Sequence, residues 1–390
     1  MFGVEDGFDI VIGNPPYGNI MSKKQKEFIN KHYKYSSTSD ISSPFVERGC
    51  EILNNGGILT YVITFAITFN KDFSKTRKLL RNLFRKVLIL SFDRDKCRFF
   101  ENMSQSISIL LAYNKNSKEQ EGVFTSRMFR ETPNIYQVEV SNADKYLLPI
   151  GMSYSYPHRL PKLGERINVI ILEKILKQKR KSKEILNRGN SVIWIRTSGN
   201  YWYNAWDKCP YESSEMRKLY VDNLYKDFLI VLMNSSLFYF WFRIFGDGRH
   251  MNLDIFEEFP IPTPEKIKKI EPLLNKASHS FLVNLWSVFD SQRKRFLTSN
   301  IKDKIDLLDL ILGRFLYQLN HKEILHIMSY DNEVREGIKL KQYETLATQI
   351  LTLTQDSNYD TDQQKQAQVK EIEKQIDQLV YKLYNLTEEE

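Results

Sequence analysis

Cysteine is scarce. The 390-residue chain has three, Cys50, Cys97 and Cys209, widely spaced and with no Cys-x-x-Cys pair. That excludes a disulfide-stapled scaffold and a recognisable zinc module. Long apolar runs are also missing. The best, around Phe228–Phe245, is broken by Asn234, Ser235, Ser236 and Arg243, short of the roughly 18–20 residues a membrane helix needs. Met1–Asp6 shows neither a basic nor an apolar segment, so no secretory signal and no membrane association are expected, and a cytoplasmic setting is. His32, His158, His279, His321 and His326 show no ligand spacing, so no metal is expected either. No internal repeat stands out.

What is present suits a packed globular chain of two or three domains: 42% hydrophobic and 27% charged residues. The 56 Lys and Arg outnumber the 48 Asp and Glu, for a net charge of +8. Such a surplus favours a polyanionic partner, because each neutralised phosphate releases condensed counterions.

The first 115 or so residues read as α/β. Phe8–Gly13 is a short apolar strand ending in turn residues. Pro44–Leu53 is a short amphipathic helix, stopped by Asn54-Asn-Gly-Gly57, and Ile58–Ile63 is a second strand. Phe73–Phe84 reads as a basic helix, and Val87–Phe92 and Ser106–Tyr113 as two more strands. The sum is part of a wound sheet. Phe8, Ile10, Val11 and Ile12 have the pattern of a central strand, yet nothing in the preceding sequence can pair with it, so a later segment or another polypeptide is expected to cover it. Asn116–Ile150 is irregular and reads as a linker. Leu163–Leu186 reads as helical with a basic end, Val192–Arg196 as β-like, and Phe228–Phe245 as an apolar helix. Phe259-Pro-Ile-Pro-Thr-Pro264 marks a domain exit, and helices follow to the end.

The sharpest feature is Asn14-Pro15-Pro16-Tyr17, directly after the first strand. Two prolines fix φ near −65° and force a rigid, extended turn. They leave carbonyls with no competing donors on those residues, while Asn14 adds a side-chain acceptor and Tyr17 a flat aromatic face. Two acceptors and a ring suit an exocyclic amine on a stacked base, as an adenine flipped from a duplex presents it. A proline turn capped by a core tyrosine would look the same in isolation.

Phe8–Tyr17 resembles the catalytic motif of N6-adenine DNA methyltransferases of the γ arrangement. Ser43–Leu53, Gly56–Thr64 and Phe99–Leu110 resemble that family's following helix, strand and later motif, in order. Arg188-Gly-Asn, Asn234-Ser-Ser, Gly246-Asp-Gly-Arg-His and Phe259-Pro-Ile-Pro resemble the TaqI-like target-recognition domain of type IIG restriction–modification methylases. The resemblance implies three parts: a partial catalytic domain over 1–118, being the C-terminal half of a Rossmann-like methyltransferase sheet; an α+β DNA target-recognition domain over 119–264; and a helical region over 265–390. It implies S-adenosylmethionine as cofactor and double-stranded DNA as partner. Asn14 and Pro15 would accept from the adenine amine, Tyr17 would stack on the base, and Phe100, or failing it Phe99, would cover the other face. Asp40 and Phe45 would approach the cofactor's adenine.

The chain departs from that family in lacking, before Asn14, the strand and Gly-rich loop that cradle the cofactor's methionine part. The expectation is therefore a half-enzyme completed by a separate N-terminal half. DNA-contact candidates are Lys179, Arg180 and Lys181 in a basic run, Arg249 and His250 in a Gly-rich loop, and the basic cluster between Lys71 and Arg98. Trp194, Trp202, Tyr203 and Trp206 read as core more readily than as a DNA-facing wall. No nuclease motif is visible. Rival readings stay open: a non-catalytic DNA-specificity subunit keeping the motif only as a folding turn, an inactive fragment, and methylation of RNA bases or of glutamine side chains.

Overall fold

The computed structural model describes residues 6–94, 105–113, 121–129, 148–150, 159–197, 205–330 and 341–383. The chain divides into two compact units: 1–169 with 243–247, and 170–242 with 248–390.

The first unit is built on a mixed sheet. Its elements are β1 (Phe8–Gly13), α1 (Lys23–His32), α2 (Ser42–Glu51), β2 (Leu53–Thr64), α3 (Ala66–Phe69), α4 (Ser74–Leu83), β3 (Lys86–Phe92), β4 (Ile107–Tyr113), β5 (Gly122–Phe129) and β6 (Leu148–Ile150). The sheet order is β1-β2-β4-β3-β5-β6. β1 and β2 are parallel, β4 lies antiparallel between β2 and β3, and β5 is parallel to β3. The carboxyl ends of β1, β2, β3 and β5 thus share one edge with the amino end of β4. The stretch expected to be a linker contributes β5 and β6 to this sheet.

Local chemistry explains most boundaries. Ser22 and Gln25 form a reciprocal capping box that starts α1. Lys31 and His32 suit its last turn. α1 buries none of its residues, and its sequence lacks the apolar stripe that would have announced it. Gly49 lets α2 lie close on β2: a Cβ there would fall 2.6 Å from the Tyr61 hydroxyl. Among the described strands β1 lies at the edge of the sheet. Ile10 is 58% exposed and Ile12 78% exposed.

The unit also buries cations. The Arg77 guanidinium, expected among the phosphate-contacting residues, instead donates to the carbonyls of Ile67 and Asn70. Burial, then Arg81 and Arg159, lower its pKa to about 10. Lys162 is fully buried, donates to the Gly246 carbonyl at 3.0 Å and lies 5.2 Å from the Phe65 ring centroid. Burial holds its pKa well below the ordinary lysine value.

The second unit contains most of α5 (Arg166–Leu176), then β7 (Arg180–Lys181), β8 (Leu186–Arg196), β9 (Ala205–Trp206), β10 (Met216–Val221), α6 (Asn223–Asn234), α7 (Ser236–Phe245) as far as residue 242, α8 (Leu253–Glu257) and β11 (Pro260–Ile261). It continues with α9 (Pro264–Lys269), α10 (Glu271–Ser287), the hairpin β12 (Phe289–Asp290) and β13 (Arg295–Phe296), and α11 (Lys302–Ile311), α12 (His321–Ser329), α13 (Lys341–Thr354) and α14 (Gln363–Leu383). A small antiparallel sheet runs β10-β8-β9. Asn187–Ser191 bulges out of it, because Val192 pairs with Tyr220 while Leu186 pairs with the next residue, Val221. The apolar run read as one helix is two, α6 and α7, bent by 69°. Asn234 holds the break by bonding both the amide and the carbonyl of Ala205. Trp206 is core, as expected.

Candidate active site

By the general rule for open α/β sheets, ligands bind outside the carboxyl ends of the strands. That edge carries Asn14–Tyr17 after β1, Thr64 at the end of β2, Asp93 after β3 and Ser106 before β4. Backbone bonds tie these loops together: Phe65 N–H donates to the Ser106 carbonyl at 3.2 Å, and Asp93 N–H to the Phe129 carbonyl at 2.8 Å. Arg94 N–H donates to Ser106 Oγ at 3.2 Å.

Within the turn, Pro15 is buried, while Asn14 and Pro16 are exposed. The Asn14 carboxamide has no hydrogen-bond partner among the described residues. The Tyr17 ring packs against a buried cluster of Phe92, Ile107 and Phe129, contributed by β3, β4 and β5. It stays half-exposed, and partial burial pushes its phenol pKa up. The arrangement presents one free amide and one braced aromatic ring at the same edge. Phe100 and Phe99 lie outside the described residues.

Gly18 follows with φ +102. Its N–H donates to Asp40 Oδ2 at 3.0 Å, and its carbonyl accepts from Ile41 N–H at 3.1 Å. Asp40 Oδ1 accepts from both Ser42 N–H (2.9 Å) and Ser42 Oγ (2.7 Å). A second buried carboxylate, Glu47, accepts from the amides of Lys34 and Tyr35 and from Ser36 Oγ. Together they fix the polar segment between α1 and α2. Apart from the Asp40–Ser42 pair these contacts span 11 to 23 positions, and nothing in the sequence pattern pointed to them.

Phe45, 43% exposed, lines an apolar cavity of about 350 Å³ between α1 and α2, with Met21, Phe28 and Ile41 on its walls and Lys24 and Arg48 beside them. The structure therefore separates the two residues expected near the cofactor: Phe45 faces open space, whereas Asp40 is occupied by backbone donors.

In the second unit, Lys179 is exposed. Arg180 is engaged, donating to the Tyr225 hydroxyl at 3.0 Å and to Glu184 at 3.2 Å, and Lys181 pairs with Glu258. Arg249 is half-buried and His250 exposed, and both have partners within the protein. Of these three, Lys179 takes part in no ion pair among the described residues. The exposed Arg188, in the bulge Asn187–Ser191, was not among the expected contacts. Its signal was Gly189, at φ +83, where a Cβ would fall 2.6 Å from Asp222 Cα. No metal-binding group of His, Cys, Asp or Glu occurs among the described residues. No single described helix is long and apolar enough to cross a membrane.

Residues 1–99 match the family model of the Eco57I restriction-modification methylase. A type II restriction enzyme and methyltransferase of Methanocaldococcus jannaschii is 28% identical over 143 residues, which cover 34% of this chain and 12% of that protein. Both matches support a restriction–modification methylase. The chain spans only a small part of the curated relative it matches. Among solved structures, the type IIG restriction endonuclease BpuSI aligns with a TM-score of 0.35 at 10% identity, over 82% of this chain and 53% of that one. A class I S-adenosylmethionine-dependent methyltransferase from Listeria monocytogenes aligns at 0.26 and 18% identity, over 36% and 43%. Similarity of that degree decides nothing about the fold.

Proposed function

We propose that this chain carries the target-base half of an adenine-specific DNA methyltransferase in a restriction–modification system. Methyl transfer would go from S-adenosylmethionine to the exocyclic amine of a flipped adenine. The observation that carries this reading is the rigid Asn14–Tyr17 turn at the ligand-binding edge of the sheet. There an unengaged amide and a braced aromatic ring stand side by side.

In this reading, Asn14 Oδ1 and the Pro15 carbonyl accept the two hydrogens of the adenine amine. That draws electron density onto the nitrogen and orients its lone pair. Tyr17, supported from behind by Phe92, Ile107 and Phe129, gives the flipped base a face to stack on. No strong base is required, since the nitrogen can release its proton after it has been alkylated. The rate then comes from positioning and preorganised acceptors. The cofactor supplies an electrophilic methyl group on sulfur. The cavity beside Phe45 fits a purine ring by size and apolar lining, and Phe45 would hold that ring. The methionine and ribose ends need groups from elsewhere.

We assign those groups to an N-terminal half outside these 390 residues, whether on the same polypeptide or another, which adds its strands to the open edge of β1 and covers Ile10 and Ile12. The second unit is assigned to duplex DNA, with Lys179 and Arg188 among its exposed cations. Asn14→Ala in the assembled enzyme tests the reading. Methyl transfer to unmethylated DNA should fall by about 10²–10³-fold, with DNA affinity within about twofold. Unchanged methylation would reduce the motif to a folding turn.

A further inference from the structure

We propose that Asp40 is a positioning residue for the catalytic turn, a buried strut that sets Asn14 and Pro15 by holding Gly18. This rests on reading that turn as the site of methyl transfer.

Asn14–Tyr17 hangs between two anchors. Upstream, Gly13 is in register with Tyr61 on β2. Downstream, Gly18 is pinned twice, through its N–H to Asp40 and through its carbonyl to Ile41. Between the anchors Pro15 and Pro16 have fixed φ. Displacing Gly18 therefore moves the two acceptors together rather than being absorbed by the turn. Asp40 is only 6% exposed and its carboxylate takes three donors at once, one from Gly18 and two from Ser42. A residue serving only to start α2 needs the Ser42 contacts alone, and Asn or Ser would supply them. The third contact, across 22 positions to the residue after the motif, is what a second acceptor oxygen provides. Asp40 and Ile41 also lead into α2, and Ile41 lines the cavity with Phe45. The strut thus ties the turn to the helix that bounds the proposed purine site.

Asp40→Asn keeps the shape but offers one acceptor oxygen. Whichever way the amide turns, an N–H faces an N–H at either Gly18 or Ser42. The assay is methyl transfer from labelled S-adenosylmethionine to unmethylated DNA by the purified native assembly. A positioning role predicts kcat lower by about 10–100-fold, KM for the cofactor within about twofold, and a nearly unchanged melting temperature. A raised cofactor KM at unchanged kcat would overturn the proposal and make Asp40 a cofactor contact. If the variant is unstable, amide exchange in the unaltered chain decides. Protection of Gly18 N–H equal to that of Ser42 N–H supports the strut, and open-chain exchange at Gly18 overturns it. If the unaltered assembly transfers no methyl group, the proposed activity fails, and the exchange measurement still judges the strut.

Discussion

Two stretches, one in each unit, handle their apolar side chains in opposite ways. In the second unit α6 and α7 are sealed: Phe228, Phe240, Phe242 and Trp241 are almost wholly buried. Trp241, though deep, has its indole N–H bonded to the Ile255 carbonyl at 3.0 Å. In the first unit the stretch from β1 to α2 does the reverse. Phe8, Ile10, Ile12, Ile20, Phe28 and Phe45 are all exposed, while the carboxylates of Asp40 and Glu47 are buried. Isolated exposed apolar residues need no explanation, but a run of them beside a strand edge is the surface to which the proposed function assigns the missing strands. The lesson is local: the segment between α1 and α2 is held by buried carboxylates while these apolar side chains face outward, whereas the rest of the first unit keeps an apolar core that includes Val46, Leu59, Ile63, Phe73 and Leu110.

The contrast can be broken by equal truncations. Phe240 is fully buried and packs edge-on to Tyr330 at 4.9 Å between centroids. Phe240→Ala should cost about 3–5 kcal/mol in chemical denaturation. Ile12→Ala should cost under about 0.5 kcal/mol, because its side chain is already in water. Comparable losses would mean that β1 is covered and that the exposed stretch is not a surface.

A second substitution sharpens what that surface is for. Ile10→Lys with Ile12→Lys should leave the chain's own unfolding nearly unchanged. It should weaken capture of the sheet-completing polypeptide by about 10-fold or more, since burying an isoleucine contributes about 1.5–3 kcal/mol. Pull-down from co-expressed halves, quantified by titration, reads this directly. Undiminished capture would place the partner elsewhere.

Much of the first unit was legible because its chemistry is local. Phe8–Gly13 has the bounds expected of it, and β2, β3, β4 and α4 lie within a few residues of theirs, except that β2 starts earlier, at Leu53. The strands are apolar runs, and α4 is the basic helix expected, with Leu79 and Leu80 on its buried face. α1 was missed because its stability comes from a cap and not from a buried stripe, although Ser22 and Gln25 stood at capping-box spacing. β5 was missed because its neighbours on both sides are polar. The single helix expected at Phe228–Phe245 is two because the polar Asn234–Ser236, which breaks the apolar run, also turns the chain. At the site, the turn could be read because proline geometry is written in the residues themselves. The Gly18–Asp40 bond could not, because a contact across 22 positions leaves no periodic trace.

Buried carboxylates sharpen the same comparison by the smallest effect. Asp40 and Glu47 each accept three hydrogen bonds from neighbouring donors. Asp309, on α11 in the second unit, accepts the Leu237 amide at 2.9 Å at the start of α7 and sits fully buried. Burial raises its pKa to about 7, against the opposing pull of Lys302. The folded chain then keeps a proton that the unfolded chain gives up near pH 4. The group's contribution therefore favours folding below that pH and is lost as pH rises through about 7. Asp309→Asn keeps the acceptor and removes the titration. Between pH 5 and pH 8 the melting temperature of the unaltered chain should fall relative to the variant by roughly 3 °C or more. A constant difference across that range would mean that Asp309 is ionised in the fold, held by charge as well as by the helix start it caps.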